Sequence, residues 1–126
     1  MKRAPQKYEI QFYLDIIQIK IGEKTLINAL DILEIDSFIK EKVHKKRFKR
    51  LINISECCQI DDEAKKTLTN QKSRSKVMVQ AIIVGSNTNQ DVLDFFEDMG
   101  SRKLPTKIFV NERHAKTWLS TFEVRN

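Results

Sequence analysis

Two adjacent thiols and two imidazoles are the side chains of this sequence best suited to nucleophilic or metal chemistry. Cys57 or Cys58 with His44 or His114 would supply a nucleophile and its base, or together four ligands for zinc. The spacing argues against both, because neither C-x-x-C nor H-x-x-x-H occurs. Adjacent cysteines rarely bridge each other, so we expect reduced thiols in a reducing compartment, with one of the two buried. We therefore predict no catalytic residue, no metal and no cofactor.

Three successive acids, Asp61, Asp62 and Glu63, are the second group that could do chemistry. A receiver domain uses an acid pair, but its pair follows the first strand and its lysine ends the last strand. Here the acids come later in the chain, and Lys107 begins its strand. Acids in the first turn of a helix stabilise that helix by about 0.3–1 kcal/mol each. We therefore expect these acids to open a helix, with Asp61 as its N-cap.

The glycine content excludes the common phosphate-binding loops. The sequence holds 3 Gly, widely spaced, which cannot form G-x-G-x-x-G or a P-loop. The small polar stretch with Ser86, Asn87 and Thr88 precedes a predicted helix, and its backbone amides could hold an anion. An ordinary strand-to-helix turn is the alternative, and we favour it.

The net charge of +6 raises the question of nucleic-acid binding. Its strongest support is the basic run from Lys40 to Arg50, because phosphate contacts need clustered lysine and arginine. Single-strand binding also needs exposed aromatic rings, and Phe48 is the one aromatic residue of this run. We expect Phe48 to pack under the end of a helix. A solvated helix end is favoured, and weak nucleic-acid binding stays a third functional hypothesis.

The positions of these groups follow from the alternation of predicted strands and helices. Residues at every second position from Tyr8 to Leu14 and from Ile17 to Ile21 are apolar, which predicts a hairpin turning near Asp15. The apolar run Leu51 to Ile54 predicts a strand covered on both faces. Each of the four predicted helices has a candidate N-cap. The first is Asn28, with Asp31 as its capping-box partner. The others are Asp61 for the second helix, either Asn87 or Thr88 for the third, and Asn111 for the fourth. The first helix is predicted to run to about Lys46, and the remaining strands are Val77 to Val84 and Thr106 to Val110.

The resulting order is ββαβαβαβα, an α/β fold with a mixed five-stranded sheet, an N-terminal hairpin and four helices. The length of 126 residues predicts a single domain, residues 1–126, with residues 1–7 frayed. No apolar run approaches the roughly 20 residues of a membrane span, and the N-terminus lacks the apolar segment of a signal peptide. These features predict a cytoplasmic protein.

The C-terminal half carries a pattern of strands, paired rings and helix ends. In AIIVGSNTNQDVLDFFEDMG and LPTKIFVNERHAKTWL, an apolar strand precedes a helix with paired Phe, followed by PT-x-x-F and a helix ending in Trp-Leu. The residues of this pattern are Phe95, Phe96, Pro105, Thr106, Phe109, Trp118 and Leu119. The pattern is similar to that of the STAS-like, SpoIIAA-like proteins of an uncharacterised bacterial branch. The element order also resembles the STAS domain of the anti-sigma-factor antagonist SpoIIAA. The resemblance implies a regulatory domain that binds other proteins rather than an enzyme.

One departure from the SpoIIAA pattern affects regulation. Antagonists of that type carry D-S-[ST]-G where the second crossover helix begins, and a kinase phosphorylates a hydroxyl there. This sequence has Asp61-Asp62-Glu63-Ala64 in the matching place, so the resemblance implies no phosphoswitch at this turn. Asp62 could imitate a phosphorylated residue, although helix stabilisation by the acids is the favoured role.

The leading hypothesis is therefore a non-catalytic domain acting through protein contacts. Because Phe95 and Phe96 are adjacent on a helix, both cannot point inward, and we expect Leu93, Phe96 and Met99 to form an exposed patch for homodimerisation or docking. The second hypothesis is a small apolar or anionic ligand between helices, as related lipid-binding families suggest by analogy.

Overall fold

A mixed sheet of five strands is the framework of the protein. The computed structural model describes residues 7–22, 25–43, 47–56, 59–70, 76–100 and 104–123. The strands in chain order are β1 (Tyr8–Tyr13), β2 (Ile16–Ile21), β3 (Leu26–Ile27), β4 (Phe48–Asn53), β5 (Gln59–Ile60), β6 (Val77–Ile83) and β7 (Thr106–Phe109). The large sheet has the order β1-β2-β4-β6-β7; β1 is antiparallel to β2 and the other neighbours are parallel. The predicted mixed five-stranded sheet is confirmed.

The N-terminal hairpin closes on two residues. Tyr13 lies opposite Ile16 in the register of β1 and β2, which leaves Leu14 and Asp15 as the turn. Leu14 takes a φ of 54°, the left-handed conformation that two-residue hairpin turns require. The hairpin predicted near Asp15 is therefore confirmed, even though this turn uses a leucine where glycine or asparagine is usual.

Four helices cover the two faces of the sheet unequally. They are α1 (Ala29–Val43), α2 (Asp62–Asn70), α3 (Gln90–Gly100) and α4 (Glu112–Ser120). Helices α1, α2 and α3 share one hydrophobic core with the sheet, whereas α4 packs alone on the other face. Among the described residues, no helix has both the length and the apolar character needed to cross a membrane.

Side-chain caps fix where the helices begin. Asn28 and Asp31 form the predicted reciprocal capping box of α1. The Asn28 amide donates to the Asp31 carboxylate at 3.0 Å, and the Asp31 amide donates to the Asn28 side-chain oxygen at 2.9 Å. The amide of His114 donates to Asn111 at the start of α4, as predicted. Lys46, the predicted end of α1, lies outside the described residues.

The cap predicted for α3 was wrong. The sequence analysis assigned it to Asn87 or Thr88, but the side chain of Asn89 accepts from the amide of Asp91 at 2.8 Å. The Asn89 carbonyl also accepts from the amide of Leu93 at 3.1 Å. Several residues that favour N-caps stand in succession here, and composition does not determine which of them the turn places at the helix start.

A small second sheet was not predicted. The short strands β3 and β5 pair in parallel, with Leu26 opposite Gln59, and the amide of Asp61 donates to the Ile27 carbonyl at 3.1 Å. Two residues are too few for the period-two alternation that reveals longer strands. Helices α1 and α2 each begin within two residues of this pair, so their first turns lie side by side.

Candidate functional site

The loops that follow the parallel strands approach each other closely at the carboxyl end of the sheet. The amide of Ile54, just after β4, donates to the carbonyl of Ile83 at the end of β6, at 2.8 Å. A Cβ added to Gly85 would lie 2.4 Å from the carbonyl oxygen of Ser55, so the approach requires glycine. Open α/β sheets place binding sites at this end of their strands, which makes it the first candidate site.

A hydroxyl that the sequence analysis did not single out lies at this end. Ser55 Oγ donates to Asn53 Oδ1 at 2.6 Å, and the Ser55 amide donates to the same oxygen at 3.0 Å. An amide oxygen is not a base, so this contact does not activate the hydroxyl as a nucleophile. The sequence signal that could have indicated this hydroxyl is the occurrence of two polar residues, Asn53 and Ser55, at the end of the apolar run of β4.

The acids expected to open α2 do so. Asp61 Oδ1 accepts from the Ala64 amide at 2.8 Å, which makes Asp61 the N-cap. Asp62 and Glu63 follow in the first turn and are exposed, and Glu63 lies 3.7 Å from Lys66. The Asp61 carboxylate therefore caps α2, whereas the carboxylates of Asp62 and Glu63 face solvent.

The predicted anion loop uses its polar groups within the turn. The Gly85 amide donates to Thr88 Oγ1 at 2.8 Å, and the Thr88 amide donates back to the Gly85 carbonyl at 3.2 Å. The Asp91 carboxylate follows in the first turn of α3 and pairs with Lys65 of α2. These contacts match the ordinary strand-to-helix turn that we favoured for Ser86, Asn87 and Thr88, and an anion there stays an untested prediction.

The exposed patch predicted from Leu93, Phe96 and Met99 was wrong. Phe96 is 1% exposed and Met99 is 5% exposed, both in the core that α3 shares with the sheet, and Leu93 is half-buried. Phe95 is the member of the pair that turns toward the surface, and its ring meets that of Phe96 edge-on at 5.1 Å. Spacing alone showed that the two rings must diverge but not which one faces inward.

Exposed apolar residues do occur, but on β3 and α1. Leu26, Leu30 and Leu33 are 49%, 63% and 53% exposed, respectively. Leu30 and Leu33 lie one turn apart on the outer side of α1, because Ile32 and Ile35 occupy its inner side.

The exposed carboxylates of Asp62 and Glu63 lie in the first turn of α2, the helix that packs against α1. Leu26 is the residue opposite Gln59 in the small sheet from which both helices start, and α1 packs against α2. We name the group formed by Leu26, Leu30, Leu33, Asp62 and Glu63 the leucine–acid surface.

Among the described residues, no thiol and imidazole come together to form a catalytic or metal site. His44, Cys57 and Cys58 lie outside them. His114 is exposed in the first turn of α4, and its amide serves the Asn111 cap. Within the ranges that the structure describes, no three His, Cys, Asp or Glu side chains come close enough to hold a metal ion.

The basic run is divided between surface and core. Phe48 is buried, as predicted, and Lys49 and Arg50 are buried beside it in β4. Lys49 pairs with Asp15 at 3.3 Å. The charges of β4 therefore face the interior of the fold, and those of Lys40 and Lys42 on α1 remain outside.

Two concave regions bear on ligand binding. An apolar cavity of about 50 Å³ lies between the helices and the sheet, with Asp36 and Arg50 as its polar residues. A polar groove of about 240 Å³ lies beside α4, where Gln18 donates to Glu112 at 3.0 Å and Lys116 pairs with Glu112 at 3.5 Å. The groove carries both signs of charge and has no apolar floor, which is unlike most small-molecule sites.

The matching family covers nearly the whole chain. Residues 8–123 match the model described as Domain of unknown function (DUF7793). The chain belongs to this family. No curated protein matches the chain significantly.

A solved structure supports the fold of this DUF7793 domain. An uncharacterized protein of the DUF3478 family with a SpoIIAA-like fold, from Shewanella loihica PV-4, superposes with a TM-score of 0.67 at 16% identity. The similarity covers 94% of this chain and 98% of that protein. The DUF7793 chain therefore has a SpoIIAA-like α/β fold, as its element order predicted.

Proposed function

We propose that this DUF7793 domain is a non-catalytic regulatory module that binds a protein partner through the leucine–acid surface. The observation that carries the proposal is the exposure of Leu26, Leu30 and Leu33 on β3 and α1, which adjoin the start of α2 with its solvent-facing Asp62 and Glu63. Contiguous exposed apolar side chains bordered by polar groups are typical of protein interaction sites. The partner that fits this chemistry has an apolar groove with a basic rim.

The surface is held in a fixed shape, which favours specific binding. The Asn28–Asp31 box fixes the start of α1, and the Asp61 cap fixes the start of α2. The backbone of β3 and β5 joins the two helix starts directly. A preformed surface loses less conformational entropy on binding than a flexible one.

Regulation by phosphorylation at the start of α2 is not part of this proposal. In SpoIIAA-type antagonists a kinase phosphorylates a hydroxyl at that turn, whereas this chain carries Asp62 and Glu63 there. Permanent carboxylates supply permanent negative charge, so we expect partner binding to be constitutive.

The proposal is tested by affinity capture from the native host with two matched variants. Leu30→Glu/Leu33→Glu should lower recovery of the partner at least about tenfold, because it places charge where apolar contact is needed. Val110→Glu is the control, since Val110 is an 82% exposed apolar residue after β7 and outside the surface. Recovery of the same protein in equal amounts by wild type and both variants would contradict the proposal.

The structure gives less support to a small apolar or anionic ligand. The apolar cavity of about 50 Å³ is well below the roughly 150 Å³ of an engineered cavity that admits benzene. The guanidinium of Arg50 at its edge already donates to Gln80. We therefore make no proposal for a ligand in this cavity.

A further inference from the structure

The tip of the β1–β2 hairpin exposes a cluster of large apolar side chains. Leu14 is 88% exposed, and Phe12 and Tyr13 beside it are also exposed. The ring of Phe12 meets that of exposed Phe38 on α1, with 6.0 Å between the ring centroids. We name Phe12, Tyr13, Leu14 and Phe38 the hairpin tip.

Neither backbone geometry nor packing accounts for a leucine at position 14. Its φ of 54° lies in the left-handed region, which glycine and asparagine adopt more readily than leucine. Its side chain is almost fully in solvent, so it adds little to the core. A leucine that is unfavourable for the turn and unused by the core points to a contact outside the chain.

Positive charge flanks the hairpin tip on both faces of the sheet. Lys42 Nζ lies 5.6 Å from the ring centroid of Phe38 on the α1 face, and Lys116 Nζ lies 5.7 Å from that of Tyr13 on the α4 face. The acid of the turn, Asp15, is paired with Lys49. An anionic surface approaching the tip would therefore meet two ammonium groups, of which that of Lys116 also pairs with Glu112 at 3.5 Å.

We propose that the hairpin tip inserts into the surface of an anionic lipid bilayer. Leu14 enters the region of the acyl chains, and the rings of Phe12 and Tyr13 lie at the level of the headgroups, as aromatic residues do at membrane interfaces. Lys42 and Lys116 then reach the lipid phosphates, where each basic residue adds to binding. The chain attaches at the membrane surface and does not span it.

A bilayer fits this surface better than a protein groove or nucleic acid. The tip is a convex turn with four large exposed side chains, whereas a stable protein interface uses roughly 20–30 residues on each side. Single-stranded nucleic acid binds by stacking its bases on exposed aromatic rings. Leu14, the most exposed residue of the tip, offers no ring for a base.

The two proposed surfaces are at opposite ends of the sheet. The hairpin turn precedes β2 and so lies at the amino end of the parallel strands, whereas the first turns of α1 and α2 lie at the carboxyl end. A protein bound at the leucine–acid surface would therefore leave the hairpin tip free. The membrane proposal does not depend on the protein partner, and either can fail alone.

The test is co-sedimentation of the full chain with vesicles of phosphatidylcholine alone or mixed in equal parts with phosphatidylserine. Wild type should bind the mixed vesicles, and binding should weaken as salt is added. Leu14→Asn keeps a residue suited to the turn but removes the apolar group, and should lower binding about tenfold. Lys42→Ala should lower it about fivefold. Lys116→Ala should lower it less, because Lys116 also pairs with Glu112.

Val110→Glu again provides the control and should bind the mixed vesicles as wild type does. Circular dichroism checks that Leu14→Asn is folded, and its turn should be no less stable than that of wild type. Absence of wild-type binding to the mixed vesicles, or equal loss with Val110→Glu and Leu14→Asn, would overturn the proposal. Binding of a single-stranded oligonucleotide that Leu14→Asn abolishes, without vesicle binding, would assign the tip to nucleic acid instead.

Discussion

The guanidinium of Arg50 donates two hydrogen bonds to one side-chain oxygen of Gln80, from Nε at 2.9 Å and from an Nη at 2.6 Å. The two residues belong to neighbouring strands, β4 and β6, and both are buried. Gln80 Nε2 in turn donates to Thr106 Oγ1 of β7 at 2.9 Å and lies 2.9 Å from the sulfur of Met99 on α3. A charge on one central strand is thus connected to two further strands and one helix.

Replacing Gln80 should therefore destabilise the protein strongly. Gln80→Ala removes the acceptor of two charge-assisted hydrogen bonds from a buried cation, and we expect a loss of about 2–4 kcal/mol of unfolding free energy in denaturant titrations. The double variant Arg50→Met/Gln80→Leu should lose less than the sum of the single changes, because it also removes the cation. A Gln80→Ala variant within about 0.5 kcal/mol of wild type would contradict this account.

Asp61 before α2 and Asp62 within it should differ in their effect on stability. Asp61→Ala removes the hydrogen bond to the Ala64 amide and should cost about 1 kcal/mol. Asp61→Asn retains an acceptor and should cost less, and Asp62→Ala should cost only a few tenths of a kcal/mol through the helix dipole. Chemical denaturation of the three variants measures the differences. An equal cost for Asp61→Ala and Asp62→Ala would show that Asp61 does not act as the cap.

The contact between the loops after β4 and β6 predicts that Gly85 tolerates no side chain. The Cβ of Gly85→Ala would lie 2.4 Å from the carbonyl oxygen of Ser55, a backbone atom that cannot rotate away. We expect a loss of about 1–3 kcal/mol, as for other overpacked sites. Ser86→Ala, one residue on and exposed, is the control and should be near neutral. Thermal melting measures both variants, and equal midpoints would contradict the close contact between Gly85 and Ser55.

The environment of Tyr8 predicts a pH dependence at the alkaline end. Burial, the hydrogen bond of 3.1 Å from its hydroxyl to Glu34, and the negative charges of Glu34 and Asp31 raise the pKa of Tyr8 above its usual value of 10.0. The folded protein thus holds the phenolic proton more tightly than the unfolded chain. This contribution to stability is complete below about pH 10 and is lost as the pH rises through the raised pKa.

Phenolate absorbance measures this pKa directly. The sequence has 2 Tyr, so a Tyr13→Phe background leaves Tyr8 as the single tyrosine. Glu34→Gln should then lower the pKa of Tyr8, because it removes a neighbouring negative charge. No change on Glu34→Gln would mean that the hydroxyl and the carboxylate are not in contact in solution.

The parts of the fold that were predictable depend on local chemistry. The hairpin follows from alternation along two strands, and three of the four helix caps follow from a polar residue before an apolar stripe, at Asn28, Asp61 and Asn111. The burial of β4 on both faces follows from its apolar run, although Lys49 and Arg50 are buried with it. Their burial depends on Asp15 and Gln80, which are distant in sequence.

The candidate surfaces were harder to predict because they depend on which side of a helix faces the core. Which of the two rings is buried, that of Phe95 or that of Phe96, depends on how α3 packs on the sheet. The order of residues in the sequence does not specify that packing. The leucine–acid surface needs the pairing of β3 with β5, whose two-residue strands leave no periodic signal. Leu14 was assigned to a strand face by alternation, whereas the register places it in the turn.

Site-specific photocrosslinking in the native host tests the central claim, a protein bound at the leucine–acid surface, most directly. A photoreactive phenylalanine analogue replaces Leu30 in one variant and Val110 in the other, both highly exposed apolar positions. We predict a crosslinked adduct of one defined mass from position 30 and none from position 110. An adduct from position 110 alone, or identical adducts from both positions, would contradict the account.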